Sequence, residues 1–95
     1  MISIKLFDLV GSFAENKDIA QSLRREQIIP ALDNSNDIVL DFEGISATTQ
    51  SFIHALISDL FRNYGDNVLS RVSFKNCNQT VQKIIEIVVD YMQES

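Results

Sequence analysis

The feature that most constrains this chain is the nearly continuous apolar run Ile38-Val39-Leu40-Asp41-Phe42, set between two stretches of helical periodicity. A strand of that kind has little polar surface to offer water. It suits a parallel sheet in which it is buried on both faces. Two further strand candidates flank it. In residues 2–7, Ile2, Ile4 and Leu6 alternate with Ser3, Lys5 and Phe7, and residues 68–74 read Val-Leu-Ser-Arg-Val-Ser-Phe. A helical pattern follows each of the three. Strands joined through helices run parallel, with right-handed crossovers. The order predicted is therefore β-α-β-α-β-α, with helices packed on a short, mainly parallel sheet.

The first helix is expected over about residues 15–32, after a turn at residues 8–12, with Ala20, Leu23, Ile28, Ala31 and Leu32 on its apolar stripe. Pro30 predicts a kink or an early end, because it lacks an N–H and collides with the carbonyl of Glu26. The second helix is expected over residues 50–63, burying Phe52, Ile53, Leu56, Ile57, Leu60, Phe61 and Tyr64, and ending at a left-handed Gly65. The third starts at Asn76 or Asn78 and runs to about Met92, with Val81, Ile84, Ile85, Val88, Tyr91 and Met92 inward.

At 95 residues the chain is read as one domain, 1–95. Its net charge of −5 repels nucleic acid and anionic lipid, and its bases are scattered: Arg24-Arg25 is the only adjacent pair. Neither a nucleic-acid nor a membrane partner is expected, and no apolar run reaches the length of a membrane helix. A single cysteine, Cys77, allows no intrachain disulfide, so the cytoplasm is the default location.

Catalytic constellations are sparse. The three glycines, Gly11, Gly44 and Gly65, are far apart and form no phosphate-binding loop. One His and one Cys do not make a zinc site, and no metal or cofactor is expected. A Cys77–His54 dyad would need two distant residues to meet; otherwise Cys77 is a small apolar filler. The most informative pattern is polar: Ser51, His54, Ser58 and Arg62 recur on one face of the second helix, opposite its apolar side. That stripe faces either solvent or a partner. The hydroxyls of Thr48, Thr49 and Ser51 stand at the helix start, where they can cap it or carry a phosphate favoured by the helix dipole.

The strand ending in Asp41-Phe42, the hydroxyl-rich turn and Ser51-Phe52 resemble the STAS-like family of unknown function, itself similar to the bacterial anti-sigma factor antagonists. Arg24, Arg25 and Pro30 in the early helix and Val72-Ser73-Phe74-Lys75-Asn76 before the last one extend the resemblance over most of the chain. It implies a small STAS-like α/β domain that binds a histidine-kinase-type ATPase acting as an anti-sigma factor. The antagonists' phosphorylated position is similar to Ser51, with Thr49 two residues earlier. The chain departs from them at Thr49, where they carry an Asp, and at Phe52, where they carry a small residue. Set against the antagonists, a sheet without their first hairpin strand is expected, which would leave an edge for pairing or a homodimer.

The resemblance implies a regulatory interaction module, the sparse chemistry a non-catalytic one, and the polar stripe a contact surface at about residues 46–62 (Ser51, His54, Ser58 and Arg62). The alternative is a small-ligand or nucleotide-binding domain using the polar turn at residues 46–51.

Overall fold

A computed structural model describes residues 1–94. It is a mixed α/β fold whose helices pack on a short parallel sheet. Strands β1 (Ile2–Lys5), β3 (Ile38–Asp41) and β5 (Val72–Lys75) form that sheet in the order β1-β3-β5. A second, minimal parallel ladder joins β2 (Phe13–Ala14) to β4 (Ala47–Thr48).

The register explains where the strands stop. Ile2, Ile38 and Val72 stand side by side at one end of the sheet, and Lys5, Asp41 and Lys75 at the other. Phe7 lies beyond the last pair and opens a short helix, α1 (Phe7–Val10), in place of the expected turn. Residues 68–71 precede the first pair and have no strand beside them. They form helix α6 (Val68–Arg71), not the start of the predicted strand. The Ser70 hydroxyl donates to the Asn67 carbonyl at 2.8 Å to steady that turn.

The first long helix passes Pro30 without breaking, in three joined parts: α2 (Lys17–Leu23), a π turn (Arg24–Ile28) and α3 (Ile29–Asp33). Pro30 has no N–H to donate to Glu26. The ladder slips by one residue instead, and the Ile29 N–H reaches back to the Arg24 carbonyl. Asn16 caps the start of α2, accepting from the N–H groups of Asp18 and Ile19 at 3.0 and 3.3 Å.

The second helix does break, contrary to the expectation of one run over 50–63. Helix α4 (Gln50–Ile57) ends at Ser58, and Asp59 takes a left-handed conformation, φ 68°, before α5 (Leu60–Tyr64). Ser and Asp are weak helix formers, and Asp tolerates the left-handed region better than most residues. The turn keeps Leu60 fully buried. Gly65 ends α5 at φ 67°, its N–H on the Phe61 carbonyl, as expected, and a 3₁₀ turn (Gly65–Asn67) leads into α6. Helix α7 (Gln79–Glu94) is capped by Asn78, whose side-chain oxygen accepts from the Val81 N–H at 2.8 Å.

One face of the sheet builds the core. There Ile4, Ile38, Leu40 and Val72 join a single core with Leu23, Phe52, Ile53, Leu56, Val81 and Val88. The other face belongs to Ser3, Lys5, Ser73 and Lys75, which are exposed. Val39, between the two serines, is buried yet stands apart from the core cluster. As expected, β3 is buried on both faces: Ile38 and Leu40 on the core side and Val39 on the other.

Candidate functional site

The turn before α4 is built from hydroxyls, and most of them are committed. The Ser46 N–H and hydroxyl both donate to the Ser12 carbonyl, at 2.7 and 3.1 Å. The buried Thr48 hydroxyl donates to the Ala14 carbonyl at 2.9 Å, and the Thr49 N–H donates to the same oxygen. These bonds lash the turn to β2, so Thr48 is a structural hydroxyl. Thr49 is the N-cap of α4, accepting from the Phe52 N–H at 3.0 Å. Asn78 adds a further tie, donating to the Ser46 carbonyl at 2.9 Å. Ser51, in the first turn of α4, is exposed and uncommitted.

The turn is also clamped from the sheet. Asp41, at the end of β3, accepts from the Glu43 N–H and from the Asn76 side chain, both at 2.9 Å. The Asn76 bond first, then the Glu43 N–H, hold its carboxyl below the usual carboxylate range, with help from Lys5 and Lys75 against partial desolvation. Gly44 follows at φ +89°, and a Cβ there would sit 2.9 Å from the Phe7 ring. Only glycine gives both the backbone angle and the room.

Of the predicted stripe, Ser51, His54 and Arg62 are exposed and Ser58 is half-buried at the break. The break takes Arg62 off the α4 helical register. Arg62 lies 3.5 Å from the Asp59 carboxylate, an exposed pair that contributes little. The four residues nevertheless stay together through two adjoining grooves between α4–α5 and α7. One, of about 500 Å³, is lined by Lys17, Gln50, Ser51, His54, Ala55, Ile87, Val88 and Tyr91. The other, of about 460 Å³, carries His54, Ser58, Asp59, Arg62, Asp66 and Tyr91 among its walls. His54 and Tyr91 line both.

The far wall of these grooves escaped the sequence reading. Tyr91 was expected to face inward, but it is 66 % exposed, and Ile87, one turn earlier, is 43 % exposed. Their i, i+4 spacing, off the buried Val81–Ile85–Val88 stripe, was the available signal. Lys17 comes from α2, and nothing local in the sequence places it near α4.

Two arginines change meaning. Arg24, one of the adjacent bases Arg24-Arg25, is buried, and its guanidinium donates to the Ala55 carbonyl of α4 at 2.8 Å. Its Nε is buried without a partner. Arg71 donates to the carbonyls of Leu32 and Asn36 at 2.8 and 3.2 Å and lies 3.5 Å from the Asp37 carboxylate, closing the end of α3. Nearby, the Tyr64 hydroxyl donates to Asp33; burial, then that bond, push its pKa up to about 12.

Cys77 lines a separate depression beside β5 with Leu69, Phe74 and Ile85, away from His54. Burial, and then the Asp41 charge, push its thiol up from its ordinary value. The Cys77–His54 dyad is therefore not assembled, and the thiol lacks the activation a nucleophile needs. No group of three or more His, Cys, Asp or Glu suited to a metal occurs among the described residues. No helix among them is long and apolar enough to cross a membrane.

No curated protein and no solved structure matches the chain. A family profile does, over residues 19–82, more than half the chain, from within α2 to the first turn of α7. The match takes in the clamped turn, all of α4 and the Ser51–Arg62 stripe; the Ile87–Tyr91 wall lies outside it. On that ground the chain belongs to the family of the STAS-like domain of unknown function (DUF4325).

Proposed function

We propose that this chain is a regulatory protein-interaction module with no catalytic chemistry of its own, and that it captures its partner through the clamped turn and the outer face of α4 and α5, residues 46–62. The observation that carries this is the contrast within α4. Its Phe52, Ile53, Leu56 and Ile57 are buried, while Ser51 and His54 are presented to a groove they share with α7. A rigid helix start held by Thr49, Ser46 and Asn78 gives a partner a preformed surface, which lowers the ordering cost of binding. The partner class implied by the resemblance is a histidine-kinase-type ATPase or anti-sigma factor. Ser51 is the hydroxyl in this turn open to a kinase; Thr48 is buried and Thr49 is occupied as the cap.

The test is affinity capture from the native lysate with the tagged protein and with its His54→Glu/Arg62→Glu variant, followed by mass spectrometry of prey and bait. An ATPase-type kinase or sigma-pathway protein should be captured by the wild type and lost with the variant, whose circular dichroism stays native. A phosphate on Ser51 would identify the switch. Equal capture by both proteins, or no such partner, overturns the proposal.

A further inference from the structure

The groove between the first turns of α4 and the C-terminal half of α7 has a charge of its own. The whole chain carries −5, yet among the described residues no carboxylate lines this groove of about 500 Å³; its walls hold Lys17 and His54. The amides of Gln50 and Ser51 open α4 here and have no carbonyl four residues back to bond. The opposite wall is apolar: Ile87 and Tyr91 are the large exposed apolar residues of α7, one helical turn apart, with Val88 beneath them. The carboxylates Asp59 and Asp66 belong to the adjoining groove, where Arg62 stands with them.

We infer that this groove takes an acidic amphipathic helix of a partner protein. Its apolar side chains would lie on Ile87, Val88 and Tyr91, and its carboxylates would meet Lys17 and His54. The inference rests on the interaction reading above and specifies the chemistry of the partner. Charge complementarity selects the sign, since a basic helix would bring like charge onto Lys17. The exposed apolar pair selects an amphipathic segment over a free carboxylate, and the i, i+4 spacing of Ile87 and Tyr91 sets both on one face of α7, an apolar ridge for a partner helix to pack on. A flat anionic membrane fits the site less well, because the groove is concave.

The test uses two synthetic amphipathic peptides with one leucine face, one bearing glutamates and the other lysines on the polar side. Each is titrated into ¹⁵N-labelled protein and followed by NMR. The glutamate peptide should bind, move the amides of Ser51, His54, Ile87 and Tyr91, and weaken at least about tenfold on Lys17→Glu or Tyr91→Ala. Both side chains are exposed, so the variants should keep the wild-type spectrum elsewhere. Equal binding of the lysine peptide, shifts confined to another face, no binding of either peptide, or tighter binding to phosphatidylserine vesicles than to the acidic peptide would each overturn the inference. Failure here, with the lysate partner still captured and still lost in the His54→Glu/Arg62→Glu variant, removes only the acidic-helix chemistry. Binding here without a captured regulatory partner removes the regulatory reading and leaves the groove.

Discussion

The two faces of the β1-β3-β5 sheet are made from alternate residues of the same twelve positions, and they obey different rules. On the helix side, Ile38 and Leu40 are fully buried and Ile4 and Val72 nearly so, under α4, α7 and the Pro30 helix. On the other side a row of Lys5, Asp41 and Lys75 crosses the sheet, with Ser3 and Ser73 in the next row. All-parallel sheets are normally covered on both faces. This one is four residues long and three strands wide, and its apolar side chains other than Val39 gather on one face. The open face is then free to be polar, and it needs only one apolar residue, Val39. Stability should therefore reside in the covered layer and pH sensitivity in the open one.

The largest effect that sharpens this contrast is expected from Leu56→Ala. Leu56 is fully buried in α4, and truncation there should cost about 2–5 kcal/mol by urea unfolding. A loss under about 1 kcal/mol would mean that α4 does not seal the covered face, and the comparison would break. Arg24 is a subtler probe of the same layer. Arg24→Ala should cost about 1–3 kcal/mol, since it strips the Ala55 carbonyl of a donor and removes the buried stalk. Arg24→Met keeps the stalk and also removes the unpartnered Nε, so it should be less destabilising than the alanine. If the two variants unfold alike, the stalk contributes nothing, and Arg24 acts only through its hydrogen bond.

The smallest effect belongs to the open face. Asp41 has its pKa lowered in the fold, by Asn76 first and then the Glu43 N–H. Its contribution is therefore present above the unfolded carboxylate value of about 4 and is lost as pH falls through the lower folded value. Urea midpoints of Asp41→Asn should fall less steeply with acid than those of the wild type. An unchanged acid slope would show that the Lys5–Asp41–Lys75 row carries no linkage.

Most of the element order was legible because period and punctuation are local signals. The Ile38–Asp41 run, the Gly65 stop and the buried stripes of α2, α4 and α7 follow from side chains a few residues apart. Pro30 was legible as a disturbance but not as a π turn, because the choice between a broken and a slipped ladder depends on whether packing holds both halves in line. Residues 68–71 read as strand on composition. They became helix because β3 had no residue left to pair with them, and a neighbouring strand's length is not encoded nearby.

The site divides in the same way. The stripe Ser51, His54, Ser58 and Arg62 was readable from spacing, although the left-handed Asp59 breaks the helix that the spacing assumed. Lys17, Ile87 and Tyr91 were not, since they come to α4 from elements 30 to 40 residues away in sequence. Sequence alone determined which residues seek burial and in what periodic order, because hydrophobic patterning is a property of neighbours along the chain. Tertiary structure alone decided that Arg24 and Arg71 tie off helix ends, that the Thr48 hydroxyl reaches the Ala14 carbonyl, and that Lys17 comes to line a groove with Ser51 and His54. Each of these depends on which distant carbonyl or side chain arrives within hydrogen-bonding or contact distance, and only the packed chain brings those groups together.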